Sequence, residues 1–164
     1  MGRSKKIQFP GSTGDRLTAR LDLPESDPAA WALFAHCFTC SKDLKAVVNL
    51  SRALNEAGVA VMRFDFTGLG ESEGDFAETS FASNVDDLVA AAGYLAAEYE
   101  PAKILVGHSL GGAAVLQAAA EVGGEWRDTG EIIKKAEKAA AEGNFGDAVK
   151  QAKKAEGQGQ VGKE

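Results

Sequence analysis

Ser109 stands at the centre of a short pattern that is typical of a nucleophilic serine. The pattern is Gly107-His108-Ser109-Leu110-Gly111; an apolar run precedes it and an alanine-rich segment follows it. A strand, a sharp turn and a helix in this order present the central hydroxyl on an exposed elbow, with the serine at a strained positive φ. The flanking glycines are small enough for the strand and the helix to approach closely. We predict Ser109 as a nucleophile; the structural alternative is a glycine-rich turn whose serine caps the helix.

A nucleophilic serine needs a general base, and the chain places its histidines on the wrong side of Ser109. His36 and His108 are the two histidines of the chain, and both precede the serine. In enzymes with this kind of elbow, the usual order along the chain is serine, acid, histidine. His108 is next to Ser109, where side chains diverge, and we expect His36 across the site. The sequence therefore predicts a nucleophile without the acid and the histidine that normally complete its triad.

Two cysteines, Cys37 and Cys40, follow an apolar run with two residues between them. This spacing lowers the pKa of a thiol in redox-active pairs, so a redox pair is one interpretation. We favour two small, partly buried thiols in a reducing compartment. A zinc site is not favoured, because neither a second cysteine pair nor a suitable downstream histidine completes four ligands. The sequence indicates no metal and no organic cofactor.

The composition is that of an ordinary soluble globular protein of 164 residues, long enough for one domain with a real core. The formal net charge is −6, which argues against nucleic acid or an anionic membrane as the main partner. No stretch resembles a transmembrane span, and the basic N-terminus lacks the apolar region of a secretory signal. We therefore expect a cytoplasmic protein that contacts neither a membrane nor nucleic acid.

The strands and helices that position Ser109 can be predicted from apolar runs, which alternate with glycine- or proline-rich turns. Two alternating segments around a turn predict an antiparallel hairpin, continuous apolar runs predict strands buried on both faces, and a 3.6-residue periodicity predicts helices. The predicted strands are 6–9, 16–23, 31–35, 59–64 and 104–106. The predicted helices are 44–57, 80–97 and a third that runs from the elbow to about Val122.

Strands that alternate with helices predict a mostly parallel, twisted α/β sheet with helices on both faces. Ligands of such sheets bind beyond the carboxyl ends of the strands. Loops 36–40, 65–72 and 107–111 all begin at such ends, so we expect them to meet on one rim.

The composition changes after Val122. All of the excess negative charge lies before Gly123, and the rest of the chain is built mainly from alanine, lysine, glutamate and glycine. Residues 130–142 and 147–155 predict two helices with thin alanine-rich seams, and a flexible tail follows them. We therefore predict three regions: an α/β domain over 1–122, an αα-hairpin over 123–156, and a tail over 157–164.

Three segments resemble the first half of the α/β-hydrolases, and in particular the hydrolase domain that bacteria fuse to an OsmC-like domain. The segments are FAHCFTCSKD at 34–43, RFDFTGLGESEG at 63–74 and GHSLGG at 107–112. The resemblance implies a truncated α/β-hydrolase fold and a serine hydrolase of the esterase or acyl-hydrolase type, acting on a small ester or acyl substrate. It ends near Ala120, so the family's later strands, its acid and its histidine have no counterpart here. In the family's strand order, strand 104–106 lies inside the sheet. The resemblance therefore implies that this strand is left at a sheet edge here, with unpaired backbone groups through which the chain could self-associate.

The resemblance also implies roles for individual residues. Ser109 is the nucleophile, and the backbone N–H groups of Leu110 and Phe38 form the oxyanion hole. Three residues shape the elbow: Gly107, His108 and Gly111. Five residues form the rim of the site: His36, Asp65, Gly68, Gly70 and Ser72. For Asp65, a plain turn with an Asx hydrogen bond is the alternative.

The C-terminal region resembles a different protein. GEWRDT at 124–129, IIKKAE at 132–137 and AEGNF at 141–145 are similar to a small bacterial protein that binds the SoxXA cytochrome, and also to one TPR-like helical pair. That cytochrome partner implies the periplasm, whereas the first part implies the cytoplasm. We therefore expect a chimera, a truncated reading frame or a designed fusion. The functional alternatives are a non-catalytic module whose hairpin docks on a protein partner, and one half of a split hydrolase.

Overall fold

The computed structural model describes residues 3–37 and 39–121, together with Lys138 and Asp147. The chain divides into two units, Met1–Val122 and Gly123–Glu164, and all of the strands and helices below lie in the first. The predicted αα-hairpin and tail lie outside the described residues, apart from those two positions.

Strands and helices follow one another along the described residues in the order that the apolar pattern predicts. The strands are β1 (Arg3–Pro10), β2 (Arg16–Leu23), β3 (Ala30–Ala35), β4 (Val59–Phe64) and β5 (Ile104–Gly107). The helices are α1 (Lys45–Glu56), α2 (Phe81–Glu98) and α3 (Leu110–Glu121), and a 3₁₀ turn covers Phe76–Glu78. Within this part of the chain, no helix is both long and apolar enough to cross a membrane.

The strands form one mixed sheet in the order β1-β2-β4-β3-β5. β1 and β2 form the predicted antiparallel hairpin, β2 pairs antiparallel with β4, and β3 pairs in parallel with both β4 and β5. Within this described sheet, β2 alone runs against the other strands. β5 pairs only with β3 among the described residues, so its predicted edge position is confirmed there.

Helices cover both faces of the sheet, because successive residues of β3 and β4 project to opposite sides. On one face, Leu33 and Met62 join a core with residues of α2 and α3. On the other face, Phe34 and Val61 pack with Val47 of α1. Because helices occupy both faces of the sheet, a binding site can form in the loops at the carboxyl ends of β3, β4 and β5.

Candidate active site

Ser109 lies on the turn between β5 and α3 and is exposed to solvent. Its φ is +55°, and in the described part of the chain no other non-glycine residue has a positive φ. Three backbone hydrogen bonds hold the turn. His108 N–H donates to Ala35 O and Ala113 N–H donates to Ser109 O, each over 3.1 Å, and Gly111 N–H donates to His108 O over 3.0 Å. The backbone therefore has the strain that the pattern predicts, and such strain clusters at functional sites.

The two glycines of the elbow lie where no side chain fits. A Cβ built on Gly107 would lie 2.5 Å from Gly112 Cα, and a Cβ built on Gly111 would lie 2.6 Å from His36 O. Non-bonded carbon atoms prefer separations of about 3.5–4.0 Å. Only glycine therefore lets the start of α3 pack against the ends of β5 and β3.

Leu110, one of the two predicted oxyanion donors, is the first residue of α3 and is half-buried. The first backbone N–H groups of a helix have no acceptor within the helix, and the helix dipole adds positive potential there. The Leu110 N–H thus has the surroundings that an anion-binding group requires. Phe38, the other predicted donor, lies outside the described residues.

His36 follows β3 and is almost completely buried, with 1% of its side chain exposed. Its Nδ1 lies 2.5 Å from Cys37 O, and its Nε2 lies 3.4 Å from Asp65 Oδ1. The ring also packs edge-on against Phe66. Because the ring is buried and its Nδ1 contacts Cys37 O, His36 supports the rim of the site and is poorly suited to take a proton from Ser109.

Asp65 follows β4, and its carboxylate is fully buried. Oδ1 accepts a hydrogen bond from Lys42 N–H at 2.7 Å, while Oδ2 accepts one from Lys42 Nζ at 2.7 Å and one from Glu71 N–H at 3.0 Å. Burial by itself would raise the pKa of Asp65, but His36 and the donors of Lys42 and Glu71 lower this pKa well below its ordinary range. The ionised carboxylate joins the loop after β3 to the loop after β4.

Lys42 is a buried cation, and no sequence motif marked it as a functional residue. Its side chain is 1% exposed, and Nζ lies 2.7 Å from Asp65 Oδ2, 2.6 Å from Glu71 Oε2 and 3.2 Å from Asp43 Oδ2. Burial would lower the pKa of Lys42, but its hydrogen bonds to Asp65 and Glu71 raise this pKa above its ordinary value. Hydrogen bonds from Lys42, and then from Lys6, lower the pKa of Glu71 to about 2. The one sequence signal for Lys42 was its place in segment 34–43.

The loop after β4 folds around the Asp65 carboxylate. Gly70 has a φ of +55°, and a Cβ there would lie 2.7 Å from Asp65 Oδ1. Gly68 has a φ of +72°, and a Cβ there would collide with the start of the 3₁₀ turn. Ser72 Oγ donates to Asp65 O at 2.6 Å and accepts a hydrogen bond from the backbone of β2 at 2.9 Å. The four residues predicted for this part of the rim thus hold its shape through contacts within the protein.

Cys37 and Cys40 are joined by a disulfide, so the expectation of two separate thiols is wrong. Cys40 N–H donates to Cys37 O at 3.1 Å and closes the turn between them. His108 lies beside this pair: the two Sγ atoms and one imidazole nitrogen all lie within 4.8 Å of one another. The pairing of β5 with β3 brings their following residues together, and so places His108 next to the two cysteines.

A small, mainly apolar cavity of about 270 Å³ lies beside the elbow. Phe34, Leu44 and Val106 line it, and so do Gly107 and His108. A larger cavity of about 850 Å³ is lined by other parts of the chain, with no residue from loops 36–40, 65–72 or 107–111. Of these two cavities, the small one is therefore the one that residues of the elbow line.

Three solved structures show what this chain is similar to. The esterase domain of a Rhodothermus marinus protein is 56% identical, over 73% of this chain and 45% of that one, with a TM-score of 0.59. Est1E from Butyrivibrio proteoclasticus, with ferulic acid bound, is 30% identical over 70% of this chain and 47% of that one, with a TM-score of 0.64. XC6422 from Xanthomonas campestris, an α/β serine hydrolase without a lid, is 33% identical over 74% of this chain and 57% of that one, also with a TM-score of 0.64. The chain thus spans about half the length of these structures.

A family model gives a matching result from the sequence. Residues 26–149, more than half of the chain, match the model described as "Alpha/beta hydrolase family". The match continues past Ala120, where the resemblance was predicted to end.

No match was found among curated proteins. The resemblances to the OsmC fusion and to the SoxXA-binding protein stay predictions. The mixed sheet covered by helices on both faces, the similar structures and the family model agree, and the chain belongs to the alpha/beta hydrolase family.

Proposed function

We propose that this chain carries the nucleophile and the oxyanion-binding amides of a serine esterase. The observation that carries this proposal is the backbone of Ser109, an exposed residue with a φ of +55° between a strand and a helix. A serine that only caps a helix adopts an ordinary extended conformation, so the alternative of a capping serine does not account for the positive φ. A strained, exposed serine suits a hydroxyl that must meet a substrate.

In the proposed reaction, Ser109 Oγ attacks the carbonyl carbon of a small ester while a base removes the hydroxyl proton. The N–H groups of Leu110 and Phe38 donate to the carbonyl oxygen as negative charge develops on it. The ester C–O bond then breaks, the alcohol leaves with a proton, and an acyl-serine remains. Water attacks the acyl group, which releases the acid and restores Ser109.

The base is the component that the histidines of this chain are poorly placed to supply. His36 is buried against Cys37 O and Asp65, and His108 lies against the cysteine pair. Enzymes that lose a triad residue keep a rate about 10³–10⁴ times that of the uncatalysed reaction, through the oxyanion hole and substrate binding. We therefore propose that this chain forms the acyl-serine slowly, and that full turnover needs a base other than His36 and His108.

Esters with one small apolar group are the proposed substrates. The similar Rhodothermus marinus domain is named an esterase, and the Butyrivibrio proteoclasticus enzyme binds ferulic acid. The apolar cavity beside Gly107 and His108 measures about 270 Å³. Ligand pockets usually measure about 300–1,000 Å³, so this cavity suits one short acyl or alkyl group better than a long chain.

A fluorophosphonate probe tests the proposal, because it reacts covalently with activated serines. We expect Ser109→Ala to abolish labelling of the full chain. Ser26→Ala, the matched control, removes an exposed serine between β2 and β3 and should leave labelling unchanged. Labelling that persists in Ser109→Ala, or a wild-type chain that the probe never labels, would contradict the proposal.

One observation favours a second candidate, in which this chain is half of a split hydrolase. β5 ends the described sheet, and three of its four residues are half-buried. An exposed edge offers backbone donors and acceptors to a further strand. The part of the Rhodothermus marinus esterase domain that this chain does not match, added as a separate polypeptide, should raise ester hydrolysis by the wild type but not by Ser109→Ala. If no complex forms and hydrolysis does not rise, this second candidate is wrong.

A further inference from the structure

We propose that Cys37, Cys40 and His108 bind a thiophilic divalent cation, with Zn²⁺ the best match, when the cysteine pair is reduced. These residues bring two Sγ atoms and one imidazole nitrogen within 4.8 Å of one another. The proposal concerns metal binding and does not depend on whether Ser109 is a nucleophile.

Backbone contacts bring the three ligand residues to one place. A hydrogen bond closes the turn between Cys37 and Cys40, whose Cα atoms are 5.3 Å apart. β3 and β5 are parallel neighbours, with Ala35 opposite Gly107. The segments that follow these two residues leave the sheet side by side, so His108 arrives next to the turn that holds the cysteines.

The donor set matches the preferences of zinc, which binds thiolates and imidazoles in a tetrahedral arrangement. Two thiolates would neutralise the charge of the ion. With Zn–S bonds of about 2.3 Å and Zn–N bonds of about 2.0 Å, neighbouring ligand atoms lie about 3.3–3.8 Å apart. The two sulfurs, which are bonded to each other in the disulfide, therefore have to separate after reduction, while the imidazole nitrogen already lies within 4.8 Å of both. His36 is not the fourth ligand, because its nitrogens face Cys37 O and Asp65. Water would occupy the fourth position.

Reduction controls access to the site, because a disulfide offers no thiolate. A phosphine reductant and one water molecule convert the disulfide to two thiols, and the phosphine becomes a phosphine oxide. The thiols then lose their two protons as the metal–sulfur bonds form, so binding should weaken as the pH falls. Disulfides are rare in a reducing compartment, where the dithiol form would prevail.

The three ligand residues are open to solvent on one side, where an ion can enter. On the other side they line an apolar cavity, which excludes part of the water around a bound ion. Cys37 is buried, Cys40 is half-buried and His108 is exposed. All three ligands line the apolar cavity of about 270 Å³, together with Leu44 and Val106. The exposed imidazole provides an entry path, and the apolar walls strengthen the electrostatic attraction between the ion and its thiolates.

The test adds Co²⁺ to the full chain before and after reduction by a phosphine and follows the absorption of cobalt–thiolate bonds. We expect one ion per chain after reduction, none before it, and displacement of Co²⁺ by Zn²⁺. Cys40→Ser should abolish the absorption. His108→Asn should weaken Zn²⁺ binding by about ten-fold or more, since even residues that only support a metal ligand have effects of that size.

Ser26→Ala is the control, because this exposed residue does not line the cavity that holds the three ligands and offers neither a thiolate nor an imidazole. It should bind as the wild type does. A second measurement uses the wild type alone, in case a cysteine variant misfolds: saturating Zn²⁺ should prevent alkylation of the reduced cysteines by iodoacetamide. Equal binding by the oxidised chain, unchanged affinity in His108→Asn, or alkylation that Zn²⁺ does not slow would each overturn the proposal.

Discussion

His108 N–H donates a 3.1 Å hydrogen bond to Ala35 O and so ties the turn that carries Ser109 to the end of β3. Gly111 packs against the same strand end, where a Cβ would lie 2.6 Å from His36 O. The position of the serine hydroxyl therefore depends on close contact between the start of α3 and the end of β3. Changes at this contact should affect both stability and the reactivity of Ser109.

Gly111→Ala should destabilise the fold and abolish labelling of Ser109 by a fluorophosphonate. Overpacking of this kind costs about 1–3 kcal/mol. Gly93→Ala is the matched control, because a Cβ on this glycine of α2 meets nothing within 4 Å. The control should raise the free energy of unfolding by about 0.5–1 kcal/mol, since glycine is a poor helix former. Urea unfolding measures both variants, and equal free energies would show that the contact at Gly111 is unimportant.

Gly70→Ala should cost more stability than Gly58→Ala. Both glycines have a positive φ, +55° at Gly70 and +80° at Gly58, but only at Gly70 would a Cβ collide with Asp65. Gly58→Ala should therefore lose about 1–2 kcal/mol, the cost of a left-handed conformation. Gly70→Ala should lose about 1–3 kcal/mol more through overpacking. Chemical denaturation compares the two; similar losses would mean that the loop moves away from Asp65 at little cost.

The free energy of unfolding should fall in acid as Asp65 becomes protonated. The pKa of Asp65 in the folded chain lies below its unfolded value, so between these two values the unfolded chain binds more protons and stability rises with pH. The contribution is complete above about pH 5 and is lost as the pH falls toward the folded pKa. Asp65→Asn should be less stable at neutral pH and should lose less between pH 5 and pH 2. Urea unfolding measures the free energy of unfolding of the wild type and of Asp65→Asn between pH 5 and pH 2. If the two proteins lose the same free energy over this range, the prediction is wrong.

Lys42→Met should destabilise the protein by about 3–5 kcal/mol, because it leaves the buried Asp65 carboxylate without its cation. The double variant Lys42→Met/Asp65→Asn removes both charges and should lose less than the sum of the two single variants. Guanidinium chloride unfolding of the four proteins gives the coupling free energy. Strictly additive losses would show that Lys42 and Asp65 do not stabilise each other.

Between Arg3 and Glu121, the sequence alone determined the strands and the α-helices to within a few residues, and also the conformation of the elbow, because the signals for these features are local. Polar and apolar residues alternate over 16–23, and residues 31–35 are all apolar. Each pattern spans only a few residues, and each predicts which side chains face a core. The glycines on both sides of Ser109 mark a turn without room for side chains, and the structure places that turn between β5 and α3. The edge position of β5 in the described sheet was predicted from the strand order of the family that the chain resembles.

Only the tertiary structure decided which polar side chains meet. Lys42 is buried against Asp65 because the ends of β3 and β4 lie side by side, and the spacing of these residues gives no sign of that contact. His108 reaches Cys37 and Cys40 because β5 pairs with β3, a contact between residues far apart in the chain. Periodic patterns specify an element over a few residues, whereas contacts between loops depend on strand order, register and the path of each loop after its strand ends.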